Sequence, residues 1–316
     1  MYIGFDIGGT NIKYGILNDL GDIIHKGIVP TNHDRETLLN ELTMITNNYA
    51  QDYEIIGIGI SVPGIIQKDG FMLTGGAIQS LYGVNLKKEM ELRTGFPTAI
   101  ENDANAAAIA EKWLGNAVGI ENYLCVVLGT GIGGGIIINN QIYRGAHGMA
   151  GEFGYMMIHE LDLSENIEES SLNWNSAVVG GLYRQYNRAK LAGNPQFKPI
   201  KDASEIMARA NTKEPEAMKV MANYYQDVAV GLINLIGAFD PEIILVGGGI
   251  SANKEFMDKL TFTIENLENK HDSISYLKGK TIAPVKPAKL KNDAGLIGAV
   301  YQIKQTLSSF EKNITV

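Results

Sequence analysis

The sequence contains a single cysteine, Cys125, so neither an internal disulfide nor a zinc site built from several cysteines is expected. It contains no apolar run of about 18 residues, which argues against a membrane-spanning helix. Its N-terminus lacks a basic segment followed by a long apolar one, which argues against a signal peptide. These absences predict a cytoplasmic protein without a membrane partner.

Clusters of lysine and arginine are also missing, and the formal net charge is −8. Surfaces that bind nucleic acid are normally basic, so no nucleic-acid partner is expected. Apolar residues make up 45% and charged residues 20% of the 316 residues. This composition is typical of a globular protein, and the length is sufficient for two domains.

Glycine is abundant, with 36 residues, and the glycines cluster at the ends of apolar runs. Turns at 8–9 and 129–135 each separate two strand-like segments, so the pattern strand, glycine turn, strand occurs twice. A third glycine turn at 247–249 follows the apolar run 243–246. Because glycine lets successive backbone N–H groups point at an anion, these turns predict a site for nucleotide phosphates. The predicted phosphate-binding residues are Gly8, Gly9, Thr10, Asn11, Lys13, Gly129, Thr130, Gly131, Gly133, Gly247 and Gly248.

Each glycine turn taken alone also fits a simple tight hairpin. Gly129, Gly131 and Gly134 match the dinucleotide-binding pattern G-x-G-x-x-G. That pattern requires a helix directly after the turn, whereas residues 135–140 read as a strand and a turn. A Walker A loop is absent from the sequence. The three turns together therefore favour a mononucleotide such as ATP.

Asp6 ends the first strand beside the first glycine turn. A carboxylate there would repel phosphate unless a cation lay between them, and Mg²⁺ is usually bound by few carboxylates and several waters. Asp6 is therefore predicted to bind Mg²⁺ through water, with capping of the turn amides as the alternative. Lys13 is predicted to neutralise phosphate charge, and an exposed strand lysine is the alternative.

The segment Glu101–Asn105 places polar residues where an apolar strand ends and an apolar helix begins. Phosphoryl transfer to a hydroxyl needs a carboxylate that accepts the hydroxyl proton, and Asp103 is predicted to be this general base. The amide of Asn102 can both donate to and accept from neighbouring hydroxyls. The alternative interpretation of the segment is a helix cap only.

Helical periodicity is predicted over residues 34–50, 86–94, 103–114, 176–185, 203–210, 215–239 and 294–307. Because the first strand–turn–strand pattern recurs near the middle of the chain, two similar α/β halves are inferred. The predicted domains are a smaller α/β lobe of residues 1–117 plus 293–316, and a larger α/β lobe of residues 118–292.

The sequence resembles the ROK sugar kinases of the actin/hexokinase/Hsp70 ATPase superfamily. The motifs that carry the resemblance run in family order over nearly the whole chain. They are Asp6–Thr10, Ser61–Gly64, Glu101–Asn105, Gly129–Gly135, Ala150–Glu152, Gly247–Gly249 and Asp293–Gly295. The resemblance implies a two-lobed actin-like ATPase fold (ribonuclease H-like), with ATP and Mg²⁺ between the lobes and sugar in the interlobe cleft. It also implies a homodimer and Asp103 as the base.

One departure concerns the family's zinc loop. Most members carry a histidine three residues after the acid that matches Glu152, followed by a cysteine-rich zinc loop. Here that position is Tyr155, and an acidic, serine-rich segment occupies residues 160–176, so no zinc site is expected. A tyrosine can still donate to a sugar hydroxyl or stack on a sugar face. The residues predicted to contact the sugar are Pro63, Gly64, Gly76, Ala77, Asn102, Asp103, Glu152 and Tyr155.

A further combination of segments resembles the zinc-less β-glucoside kinases, namely Gly75–Ile78, Gly151–Tyr155 and Asn292–Tyr301. Those enzymes phosphorylate the 6-hydroxyl of the non-reducing glucose in cellobiose and related compounds. A β-glucoside is therefore the predicted small-molecule substrate. Glucokinase and N-acetylmannosamine kinase are the alternatives within the family. A sugar-responsive transcriptional regulator is the alternative of another class, although the acidic charge argues against it.

Overall fold

The computed structural model describes the backbone of residues 1–314 and the side chains of residues 1–309. The described residues form ten β-strands and ten α-helices, and they divide into two compact units. Unit 1 comprises residues 1–120, 135–151 and 292–316, and unit 2 comprises residues 121–134 and 152–291. The segment 135–151, which the sequence analysis placed in the larger lobe, belongs to unit 1.

Unit 1 contains a five-stranded sheet with the strand order β3-β2-β1-β4-β5. Strand β1 pairs with β2 in antiparallel fashion, whereas β1–β4 and β4–β5 are parallel pairs. The apolar side chains of β1 and β4 are buried, as expected for strands covered on both faces. The strands are β1 (Tyr2–Ile7), β2 (Asn11–Leu17), β3 (Ile23–Pro30), β4 (Gly57–Val62) and β5 (Thr98–Asn102).

Four helices belong to unit 1. Helix α1 (Arg35–Asp52) is capped by Asp34, whose side chain accepts the Thr37 amide, and α1 buries its apolar side on the sheet core. Helix α10 (Ala294–Ile314) lies against β1, β4 and helix α3 (Asp103–Leu114). Its backbone comes close to that of α3. A Cβ at Gly298 would lie 1.9 Å from the carbonyl oxygen of Ala106. The other helices are α2 (Leu86–Thr94), α3 (Asp103–Leu114) and α10 (Ala294–Ile314).

The second sheet has the strand order β10-β9-β6-β7-β8. Strand β9 is paired with β6 and β10 in parallel, and its five residues are all buried. The boundary between the units falls inside β7, between Gly134 and Gly135. The strands are β6 (Tyr123–Leu128), β7 (Ile132–Ile138), β8 (Gln141–Ile142), β9 (Ile243–Gly247) and β10 (Val285–Pro287).

Six helices belong to unit 2, and the longest, α7, begins with a proline in its first turn. The helix predicted over 176–185 is instead interrupted: α4 ends at Ser176, and a π-helix spans Val178–Tyr183 before α5 begins. The helices are α4 (Leu172–Ser176), α5 (Arg184–Gly193), α6 (Ala203–Asn211), α7 (Pro215–Phe239), α8 (Lys254–Lys270) and α9 (Asp272–Leu277).

The expected α/β class and the repeated strand–turn–strand core are confirmed, because β1–β2 and β6–β7 each flank a glycine turn. Within residues 1–314, no helix combines the length and the apolar character that crossing a bilayer requires.

Candidate active site

Asn102 connects the start of α3 to a glycine turn in unit 1. Its side-chain oxygen accepts the backbone N–H groups of Ala104 at 2.9 Å and Asn105 at 3.1 Å, so Asn102 is the N-cap of α3. Its side-chain nitrogen donates to the Gly64 carbonyl at 3.0 Å. The helix-cap interpretation is therefore correct for Asn102, and the same side chain fixes the position of the Pro63–Gly64 turn.

Asp103 is the first residue of α3, and its Oδ1 accepts the Ala104 amide at 2.9 Å. Burial among neighbouring atoms raises the pKa of its carboxyl, and the negative charge of Asp6 raises this pKa further. Water nevertheless reaches part of the side chain, which limits the contribution of desolvation. A partly accessible carboxylate with a raised pKa has the properties of a general base.

Glu101 is buried directly before these residues, with only 4% of its side chain exposed. Its Oε1 accepts the Asn102 amide and the side-chain nitrogen of Asn105, both at 3.0 Å. Its Oε2 accepts from both Nε (3.0 Å) and Nη2 of Arg144. This ion pair, in which one carboxylate oxygen accepts from two guanidinium nitrogens, fixes the end of β5, which Asp103 directly follows. The sequence analysis did not identify Arg144, because nothing local to residue 144 signals a partner in β5.

The Asp6 carboxylate is held on three sides within unit 1. Lys13 Nζ lies 3.3 Å from Asp6 Oδ2 and also donates to the Asn292 carbonyl at 3.1 Å. The Ser61 hydroxyl donates to Asp6 Oδ1 at 3.2 Å. Gly295, in the first turn of α10, faces the same carboxylate closely enough that a Cβ there would lie 2.4 Å from Oδ1. The predicted pairing of Lys13 with phosphate stays a prediction, since Lys13 contacts Asp6 in this structure.

Replacing Gly295 by alanine is expected to displace the Asp6 carboxylate, because the new methyl group would overlap with it. We expect kcat to fall about tenfold, since a small misplacement of a charged group in an active site is costly. The measurement is a steady-state assay of sugar-dependent ADP release. The matched control is Gly237→Ala in α7, where a Cβ would meet no heavy atom within 4 Å. Equal kcat values for the two variants would contradict the expectation that the reaction depends on the position of the Asp6 carboxylate.

The first glycine turn is closed by its own backbone. The Gly8 amide donates to the Asn11 carbonyl at 3.0 Å, and the Thr31 hydroxyl donates to the Gly8 carbonyl at 2.6 Å. A ring nitrogen of His33 lies 3.1 Å from the Gly9 carbonyl oxygen. The Gly8 amide is therefore committed to closing the turn, and the phosphate contacts expected of this turn stay a prediction.

Two predicted sugar-binding turns adjoin this site in unit 1. Gly64 and Gly76 have φ values of +113° and +55°, which favour glycine. A Cβ at Gly76 would lie 2.9 Å from Pro63 Cβ, so the two turns touch. A Cβ at Gly9 would lie 3.1 Å from Ala77 Cβ. The structure thus brings the predicted sugar-binding turns together with Asn102 and the first glycine turn.

The second glycine turn is fixed by unit 2. The Gly129 amide donates to the Gly131 carbonyl at 3.0 Å, and the Val178 amide of the π-helix donates to the Gly129 carbonyl at 2.8 Å. Asn173 Oδ1 accepts the Ile132 amide at 2.9 Å. Gly133 lies in β7, beyond the turn.

The third turn lies against the end of β6. Gly247 is the last residue of β9, and Gly248 follows it with a φ of +91°. A Cβ at Gly248 would lie 2.0 Å from the Leu128 carbonyl oxygen, so only glycine fits there. The second and third turns are therefore adjacent.

A cavity of about 320 Å³ opens beside these two turns within unit 2. Its lining combines apolar side chains with an acidic residue, a tyrosine and three small polar side chains, as in many small-molecule sites. The sequence analysis identified only its glycine turns. The lining residues that it missed are Val178, Val179, Tyr183, Asp202, Ala203, Ser204, Met207, Ile250 and Asn253. The π-helix and the start of α6 supply most of them. The helical periodicity of 203–210 predicted α6, but nothing local to either segment indicates that it lines a cavity.

Glu152 directly precedes a short 3₁₀-helix in unit 2, Phe153–Tyr155, and Tyr155 is the last residue of that helix. Phe153 is buried, whereas 57% of Tyr155 is exposed. A Cβ at Gly154 would lie 2.6 Å from the Ile132 carbonyl oxygen, so this segment packs tightly on the start of β7. The predicted site residues thus divide between the units, with Glu152, Tyr155 and the second and third turns in unit 2 and all others in unit 1.

Comparison with known proteins identifies the family. Residues 2–306 match the ROK family, and the chain belongs to it. The beta-glucoside kinase of Listeria innocua serovar 6a is 39% identical over 303 residues, which cover 95% of this chain and 96% of that protein. The resemblance seen in the motifs is therefore confirmed.

Two solved structures have the same fold. The Lmo2764 protein from Listeria monocytogenes, named as a candidate N-acetylmannosamine kinase, superposes with a TM-score of 0.84 at 36% identity, over 96% of this chain and 99% of that one. A ROK family glucokinase from Streptomyces griseus, in complex with glucose and AMPPNP, gives a TM-score of 0.75 at 28% identity, over 94% and 97% of the two chains. The expected ROK kinase fold is confirmed.

Proposed function

We propose that this protein transfers the γ-phosphoryl group of ATP to the 6-hydroxyl of a β-glucoside such as cellobiose. The observation that carries the proposal is the placement of Asp103. It begins a capped helix, beside sugar-binding turns expected for the family, and its pKa is raised. The similarity over nearly its full length to a beta-glucoside kinase supports the substrate class.

Asp103 is the proposed general base. As the sugar oxygen forms its bond to the γ-phosphorus, its proton passes to the Asp103 carboxylate. The bond between the γ-phosphorus and the bridging oxygen breaks, and ADP leaves with that electron pair. Asn102, the Pro63–Gly64 and Gly76–Ala77 turns, Glu152 and Tyr155 are the proposed sugar ligands. Their roles are positioning and hydrogen bonding, which supply much of the rate in such reactions.

In the proposed nucleotide site, backbone amides of the glycine turns donate hydrogen bonds to the phosphates. The Gly8 and Gly129 amides are excepted, because they close their own turns. The cavity of unit 2 is proposed to hold the nucleoside, with Asp202 and Ser204 as its polar contacts. Asp6 Oδ1 and Ser61 Oγ lie 3.2 Å apart beside the first turn. Both are oxygen atoms, the kind of ligand that Mg²⁺ prefers, and they suit a hydrated Mg²⁺. Mg²⁺ bound there would neutralise phosphate charge, and Asp6 is its proposed protein contact.

The pH dependence should reflect the raised pKa of Asp103. Only the ionised carboxylate accepts a proton, so kcat/KM should fall as the pH decreases through this pKa. Because the pKa is raised, the acid limb should lie above the ordinary aspartate value of 3.8. The measurement is kcat/KM for cellobiose across overlapping buffers at saturating Mg²⁺, alongside protein stability at each pH. If kcat/KM stays constant as the pH decreases to 3.8, Asp103 is not the general base.

Tyr155 is expected to contribute to sugar binding through its hydroxyl. Tyr155→Phe should raise KM for cellobiose about fivefold with little change in kcat, because one neutral hydrogen bond is lost. Tyr276→Phe, on an exposed tyrosine in α9, is the matched control. An unchanged KM for Tyr155→Phe would leave Tyr155 with a packing role only.

The test of the proposed function is a coupled kinase assay across cellobiose, arbutin, glucose and N-acetylmannosamine. The highest kcat/KM is expected for a β-glucoside, with the phosphate located on the 6-hydroxyl by NMR of the product. A preference for glucose would support glucokinase, the second candidate, which the solved glucose complex of a relative favours. Sugar binding without phosphorylation would instead support a regulator.

The predicted homodimer and the cytoplasmic location stay predictions. Among the described residues, no group of three or more His, Cys, Asp or Glu side chains is placed to hold a metal ion.

A further inference from the structure

Unit 2 contains a second cavity, of about 360 Å³, that shares no lining residue with the cavity beside the glycine turns. The lining is polar throughout and consists of two carboxylates, one histidine and four side-chain amides. Its volume lies within the range of small-molecule sites, about 300–1,000 Å³. None of these residues has a role in the proposed phosphoryl transfer.

Asp227 of α7 is the most buried group of this polar cavity, with only 8% of its side chain exposed. Its Oδ1 lies 3.2 Å from His159 Nε2, and this is the only polar contact of the carboxylate among the described residues. Oδ2 therefore has no protein donor. Because Asp227 lines the cavity, this oxygen can accept a hydrogen bond from water or from a ligand there.

Two of the amides are oriented by bonds that use their N–H groups. Asn175 Nδ2 donates to the carbonyls of Glu169 and Ser171 at 2.8 and 2.9 Å. Gln185 Nε2 donates to the Asn175 carbonyl at 2.8 Å. Their side-chain oxygens are left as acceptors, together with the carboxylates of Asp227 and Glu169. The cavity is therefore rich in acceptors and suits a ligand with several donors.

We propose that this polar cavity binds a neutral polyhydroxylated molecule, of the saccharide or polyol class, through its hydroxyl groups. A hydroxyl donates one hydrogen bond and accepts others, which matches both the fixed acceptors and the amides of Asn223 and Gln226. The lining contains no phenylalanine, tyrosine or tryptophan, so recognition rests on hydrogen bonds rather than on stacking against a large aromatic ring. The proposal does not depend on the kinase reaction.

The test is an NMR titration that monitors the side-chain amide signals of Asn175 and Gln185 during addition of glucose, cellobiose or glycerol. The Glu152→Gln protein is used, so that binding at the proposed sugar site of the kinase is weakened. Saturable shifts of both amides are expected for at least one of these probes. Gln226→Ala and Asp227→Asn should each raise the dissociation constant about tenfold. Asn234→Ala, on an exposed amide of the same helix, is the matched control and should leave it unchanged.

Two results would overturn the proposal. One is the absence of saturable shifts for all three probes. The other is saturable shifts with putrescine alone, which would make the cavity a site for a cationic amine. Asp227 is buried, so Asp227→Asn could lower the stability of the protein. Gln226 is exposed, so Gln226→Ala should leave the fold intact and still test ligand binding in the cavity. The NMR titration does not need kinase activity, so loss of that activity in Glu152→Gln leaves it unaffected. The proposal for the polar cavity and the proposed kinase function can therefore fail independently.

Discussion

Asp103→Asn should lower kcat by about 10²- to 10⁴-fold, because the variant keeps the shape of the side chain but cannot accept the hydroxyl proton. Sugar binding should be largely retained, since Asn102 still caps α3 and still contacts Gly64. The measurements are kcat from the coupled assay and the sugar dissociation constant from calorimetry. A fall in kcat with an unchanged dissociation constant would assign Asp103 to the transition state.

Asp52→Asn, on an exposed carboxylate at the end of α1, is the control and should retain full activity. Turnover of Asp103→Asn close to that of the wild type would remove Asp103 from the mechanism. An equal loss of sugar affinity and kcat would make it a binding residue instead.

Arg144→Ala should lower the free energy of unfolding by about 2–4 kcal/mol. The variant leaves the buried carboxylate of Glu101 without its charged partner, and an unpaired buried charge is strongly destabilising. Arg144 is 29% exposed, so water entering the space should keep the loss below that of a fully buried pair. The measurement is equilibrium unfolding in urea.

Glu101→Gln provides the comparison, because it removes the charge that Arg144 neutralises. The double variant Glu101→Gln/Arg144→Ala should be more stable than Arg144→Ala alone, since no unpaired carboxylate remains. Lys254→Ala breaks an exposed ion pair with Asp258 and should cost less than about 1 kcal/mol. A double variant less stable than Arg144→Ala would contradict the role assigned to the charge.

Local sequence patterns were sufficient to predict the two glycine hairpins, the start of α3 and the position of Asp103. Each of these features depends on neighbours in sequence: an apolar run, a glycine turn, a capping side chain. Asn102 illustrates the gain from structure, because the sequence indicated a cap and the structure adds its bond to Gly64, 38 residues away.

The contacts that sequence patterns could not predict join distant parts of the chain. Glu101 and Arg144 are 43 residues apart, and neither position predicts that the other is close. The π-helix Val178–Tyr183 begins with an amide that donates to the Gly129 carbonyl of the second glycine turn, a long-range contact that local periodicity does not reveal. The burial of Asp227 likewise follows from packing around α7 rather than from its own sequence neighbours.

Gly295 of α10 faces Asp6 of β1, and Gly298 of α10 faces Ala106 of α3. The surroundings of Asp6 are therefore built from both the first strand and helix α10. During synthesis on the ribosome, the segment carrying Asp6 and Asp103 emerges long before α10 does. Until then, the glycine-bearing face of β1 and β4, which α10 covers in the folded protein, remains open to solvent or to chaperones. A chain that terminates before residue 294 would therefore be prone to aggregation as well as inactive.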